Sequence, residues 1–91
     1  MPQEAPLPEE GKLIGRVTHF FGKIGVAVIE LSDKLKVGDS IRIAGGEGTD
    51  FSQQVDSMEI EHEKVQQAKV GDSIGMKVKE KVREGYKVYK L

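Results

Sequence analysis

Few side chains in this 91-residue sequence are equipped for catalysis, and they are scattered. The histidines are His19 and His62, 43 positions apart. Cysteine is absent, which excludes thiolate catalysis, thiolate-bound zinc and a disulfide framework. His62 stands between Glu61 and Glu63, but neighbours along a strand face opposite ways, so adjacency makes no histidine–carboxylate pair. Glu59 and Glu61 share a face at strand spacing and read as a solvated acidic surface before an acid–base pair. His19, His62 and Glu59 lack the spacing of a metal site, so no metal is expected. Neither Gly-x-Ser-x-Gly nor His-Glu-x-x-His occurs. The Gly45-Gly46-Glu47-Gly48 stretch has two acids nearby and no following Gly-Lys-Ser/Thr, so it reads as a hairpin connection and not a phosphate loop. A binding module is expected, without catalytic residues or cofactor. Its most ordered charge pattern is Lys77, Lys79, Lys81 and Arg83. Spacing by two puts all four on one face of a strand, a basic ridge that reads either as a solvated outer face whose lysines discourage edge pairing or as a contact for the backbone of a nucleic acid.

The elements that must carry these residues are strands. Lys36-Val37-Gly38-Asp39-Ser40-Ile41 recurs letter for letter as Lys69-Val70-Gly71-Asp72-Ser73-Ile74, and 82–88 holds a looser third copy. Each copy reads as a corner, with a glycine at positive φ and apolar alternation after it. Six strands are expected, over 11–21, 24–31, 40–44, 51–62, 73–79 and 86–91. Mixed parity predicts a bulge at Gly15 and a register switch near Asp56-Ser57. No sustained helical period exists. Six short strands joined by tight corners predict an all-β fold, a small closed six-stranded β-barrel.

Charge is partitioned. The net value is −1, yet 43–63 carries six acids and no Lys or Arg, while 64–91 carries eight bases against three acids. Residues 1–10 hold three prolines, three acids and little to bury, and read as a disordered tail before a single domain at 11–91. No secretory leader and no run of about 20 apolar residues is present, which points to a cytoplasmic chain with no membrane contact.

Six pieces in order carry a family resemblance: Gly15-Arg16-Val17, then Gly22-x-x-Gly25-Val26, then 35–43 around the first corner, then Val55-x-x-Met58-Glu59, then Val70-Gly71-Asp72-x-Ile74-Gly75, then Val82-Arg83-Glu84-Gly85-x-x-Val88. Together they resemble domain 2 of elongation factor Tu and related translation GTPases, and the stand-alone translation elongation factor-like proteins. A similar barrel occurs at the C-terminus of some collagenase-like peptidases. The resemblance implies a six-stranded barrel that binds RNA, the ribosome or another ribonucleoprotein. It also implies a place for Glu59 as the equivalent of an aminoacyl-pocket residue. With no P-loop or GTPase domain, the chain itself hydrolyses no GTP. The alternative is a protein-interaction module that docks on a separately encoded GTPase or collagenase-like peptidase. Its recognition surface would then be the Gly-rich loop and the acidic stretch 59–63.

Overall fold

The computed structural model describes residues 11–46 and 48–91; the tail expected at 1–10 lies outside them. Alternating apolar residues and glycine corners resolve into ten strands, with no helix among the described residues. They are β1 (Lys12–Phe21), β2 (Val26–Leu31), β3 (Leu35–Lys36), β4 (Ser40–Gly45), β5 (Thr49–Gln54), β6 (Met58–Ile60), β7 (Glu63–Val65), β8 (Gln67–Ala68), β9 (Ser73–Lys77) and β10 (Lys87–Lys90). Eight form one antiparallel sheet in the order β5-β4-β10-β1-β2-β9-β6-β7, and β3 pairs with β8 apart from it.

The fold is all-β, but the sheet is not the closed six-stranded barrel that the sequence suggested. Its outer strands, β5 and β7, do not pair with each other. Two local causes are visible. The expected strand 51–62 breaks at 55–57, because Val55 is held by a corner: its N–H donates to Asp39 O at 2.8 Å and its carbonyl accepts from Gly38 N at 2.9 Å. Beyond the break the chain folds back as the β6–β7 hairpin and occupies the far edge. Where β5 approaches the exit of β9, a side chain replaces the ladder. Gln53 donates Nε2–H to Lys77 O and accepts Lys79 N–H at Oε1, both at 2.9 Å.

The core is one cluster. Ala27, Ile29, Ile41, Ile43, Ile74 and Val88 are all inaccessible to solvent. They sit at every second position of β2, β4, β9 and β10, so the sheet curls around one apolar face. Each of the isoleucines and Val88 contributes about 1.5–3 kcal/mol of burial. β1 bends as expected at Gly15, where its register against β10 shifts, and again between Val17 and His19 against β2.

The duplicated hexapeptide forms a pair of equivalent corners. In each, the Lys amide donates to the Asp carboxylate three residues on, Lys36 to Asp39 and Lys69 to Asp72, both at 3.0 Å. Gly38 and Gly71 take φ of 99° and 91°, where a Cβ is strained. Each corner grips one residue of a neighbouring strand. Gly38 and Asp39 hold Val55; Gly71 N donates to Leu31 O and Leu31 N to Asp72 O, both at 2.9 Å. Leu35 and Ala68, which precede the two copies, pair with each other across β3 and β8. A local pseudo-two-fold axis therefore passes between the copies. It extends into the sheet: β4 against β5 and β9 against β2 carry the same alternation of registers.

Candidate functional site

The expected basic ridge is not a ridge. β9 ends at Lys77, and the chain from 78 to 86 leaves the sheet. Lys77, Lys79, Lys81 and Arg83 are all exposed, but they do not share a strand face. The backbones of Lys77 and Lys79 are engaged by Gln53. Lys81 and Arg83 flank buried Val82 and line an open groove of about 1180 Å³ with His19, Phe20, Glu84 and Tyr86. His19 Nδ1 lies 3.6 Å from Glu84 Oε2, and its ring meets Phe21 edge-on at 4.4 Å. The Gly-rich connection forms one wall. Tyr86 packs so close that a Cβ at Gly46 would stand 2.5 Å from its hydroxyl.

Glu59 is exposed, opposite Lys64 in β7 and Gly75 in β9, and lines neither this groove nor the cleft described next. The acidic stretch 59–63 and the Gly-rich loop do not form one surface, since no residue of 59–63 reaches the groove. Glu61 and His62 form the two-residue tip of the β6–β7 hairpin, both at positive φ (51° and 69°) without being glycine. Among the described residues no cluster of three or more His, Asp or Glu could hold a metal.

A second cleft, of about 700 Å³, was not anticipated. It lies between the twin corners and is lined by Lys34, Lys36, Lys69 and Lys90 together with Asp39 and Asp72. Buried Leu35 and Ala68 also line it. Both aspartates turn back onto their own corner amides, and Asp39 also lies 3.5 Å from Lys90 Nζ. Lys34, Lys36 and Lys69 are exposed and form no ion pair with any described residue. The sequence held the signal: both copies of the repeat open on a lysine, and pairing of the copies brings the two together.

Elsewhere the ion pairs serve the scaffold. Arg42 grips Asp50 through two bonds, Nε to Oδ1 at 2.7 Å and Nη2 to Oδ2 at 2.6 Å, and so holds that carboxyl below its ordinary range. Asp33 is lowered too, first by its bond from Lys12 and then by the Lys34 amide. Among the described residues no helix is long and apolar enough to cross a membrane.

No protein-family model matches the chain. It is 46% identical over 78 residues to a Methanocaldococcus jannaschii protein described as an uncharacterised protease, covering 86% of this chain and 19% of that protein. It is 36% identical over 79 residues to a collagenase of Porphyromonas gingivalis, covering 86% of this chain and 22% of the collagenase. The chain thus spans about a fifth of the length of the curated relatives it matches. Among solved structures it superposes on the C-terminal domain of a protein described as a U32 peptidase from Geobacillus thermoleovorans. One crystal structure gives a TM-score of 0.83 at 20% identity, covering 87% of this chain and 99% of that domain. A second gives 0.82 at 18% identity, covering 96% and 99%. These findings overturn the translation-factor resemblance, and with it the RNA-binding and protein-synthesis role drawn from it. The matched motifs are the corners and bulges that shape the sheet, so they speak for its local turns and strands and not for a function. This chain is similar in sequence to one part of proteins named as protease and collagenase, and it shares the fold of a U32 peptidase's C-terminal domain.

Proposed function

We propose that this chain is a non-catalytic accessory domain that docks on a collagenase-like peptidase. The observation that carries the reading is the 46% identity confined to 19% of a protease. Catalysis then belongs to the four-fifths of the relatives that the chain does not match, and the role of this part is to hold that larger body or its polypeptide substrate. The scattered His19, His62 and Glu59 suit such a role: they lie on separate elements, and the carboxylate beside His19, Glu84 at 3.6 Å, is on the exposed surface with it. Affinity copurification with mass spectrometry, run with and without nuclease, tests the reading. Recovery of a polypeptide resembling the unmatched part of the relatives, unaffected by nuclease, is the expected result. Recovery of nucleic acid or ribosomal proteins alone, lost on nuclease treatment, would refute it.

A further inference from the structure

The repeated hexapeptide is identical at more positions than its corner geometry requires. Gly38 and Gly71 supply positive φ, and Asp39 and Asp72 cap a backbone amide. Ile41 and Ile74 are fully buried. The two lysines give the corner only backbone groups, the N–H to the aspartate carboxylate and the C=O to the aspartate amide, which any residue but proline would supply. Their side chains are exposed and unpaired among the described residues. Val70 is likewise unexplained by the fold. Its counterpart Val37 packs against the core, whereas Val70 is 64% exposed, the highest value among the large exposed apolar residues.

The two unexplained lysines converge on one place. The antiparallel pairing of Leu35 with Ala68 brings Lys36 and Lys69 to the same cleft, where Lys34 and Lys90 join them. Four ammonium groups meet two carboxylates there; Lys90 pairs with Asp39, which leaves Lys34, Lys36 and Lys69 without an ion pair among the described residues. The cleft is therefore positive, and exposed Val70 follows Lys69 in the chain. Charge alone would suit any anion. An exposed valine next in the chain to one of the cleft lysines suits a ligand that also buries apolar surface, which a free inorganic anion does not.

Resting on the docking reading above, we infer that the twin-corner cleft receives an acidic segment of the partner polypeptide. Its carboxylates meet Lys36 and Lys69, and an apolar residue of the segment covers Val70. The test is amide NMR of the chain, titrated with an acetylated, amidated Glu-Leu-Glu-Asp-Glu peptide and with its Gln-Leu-Gln-Asn-Gln counterpart. The acidic peptide should cause saturable shifts at Lys36, Asp39, Lys69, Val70 and Asp72, weakened by salt. The neutral peptide should cause none. Lys36→Glu with Lys69→Glu should melt as the unaltered chain does and weaken binding at least about tenfold, since two opposite charges become like charges. Should that variant misfold, Lys36→Ala with Lys69→Ala serves in its place. Three outcomes would overturn the inference. They are no saturable shift, shifts centred on the Lys81–Arg83 groove, or equal shifts with inorganic phosphate, which would mark a free-anion site. The docking reading is judged separately. If the unaltered chain captures the peptidase and the charge-reversed chain still does, the cleft is wrong and docking stands. If the unaltered chain captures none, docking fails and the titration alone decides the cleft.

Discussion

Replacing Gly38 or Gly71 by alanine should cost the same. Both glycines sit at nearly the same φ, 99° and 91°, and an added Cβ at either would meet no atom within 4 Å. Steric collision thus plays no part, and the cost is backbone strain of about 1–3 kcal/mol. Alanine also stiffens the unfolded chain, which returns about 0.4–1 kcal/mol. The net loss is about 1–2 kcal/mol for each variant. In a domain of this size each kcal/mol lowers Tm by about 4–8 °C, so each variant should melt about 5–15 °C below the parent. Gly75→Ala is the control. It lies outside the positive-φ region, and its Cβ would make an ordinary 3.5 Å contact with Val26 Cγ1. That variant should hold or gain a few tenths of a kcal/mol. Urea denaturation with circular dichroism measures all three. A neutral Gly71→Ala, or a gap of more than about 1 kcal/mol between the corner variants, would refute the equivalence of the two corners.

Other expectations follow from separate features. Gln53→Ala removes the two side-chain bonds to 77 and 79; it should cost about 1–2 kcal/mol and speed hydrogen exchange at the Lys79 amide well above that of its neighbours. Ile29→Ala, at a site with no solvent exposure, should cost about 2–5 kcal/mol and lower Tm by at least about 8 °C in a thermal melt. Exchanging Glu61-His62 for Asn-Gly should raise stability by about 1 kcal/mol in the same assay, because a hairpin tip with two positive φ angles favours those residues. The pH dependence has a definite sign. Asp33 and Asp50 have folded pKa values below 3.8, so their contribution is complete above that value and disappears as pH falls through the lowered one. Tm should therefore drop between about pH 4 and pH 2, and Asp50→Asn should flatten that drop.

Much of this architecture is readable from local pattern because alternation and corner chemistry act over a few residues. The positive φ at Gly38 and Gly71 and the bend at Gly15 follow from residue type and parity, whereas at 56–57 parity pointed only to a register switch within one strand and the corner bonds to Val55 break it. Closure is different. Whether β5 meets β9 by a ladder or through the Gln53 side chain depends on two segments 24 residues apart, and no periodicity reports on that. The basic ridge failed for a related reason. Lys77, Lys79, Lys81 and Arg83 keep strand spacing, but the backbone stops being a strand at Lys77, and only Lys81 and Arg83 remain together. The twin-corner cleft needed a contact between copies 33 residues apart, which the repeat announces but does not locate. Glu59 was placed by resemblance, and the structure leaves it exposed between β7 and β9, away from both clefts.

β2 meets its two neighbours at very different times. β1 comes just before it across a short turn, but Ser73 of β9, which pairs with Glu30, is 43 residues further on. Synthesis at about 5–20 residues per second leaves one edge of Val26–Leu31 unsatisfied for about 2–9 s on the ribosome. Val-Ala-Val-Ile-Glu-Leu is rich in β-branched residues and carries a single charge, the kind of window that pairs with copies of itself. Glu30 is thus a gatekeeper during that interval, and its replacement by valine should show first as insoluble protein in the cell and only second as a change in Tm.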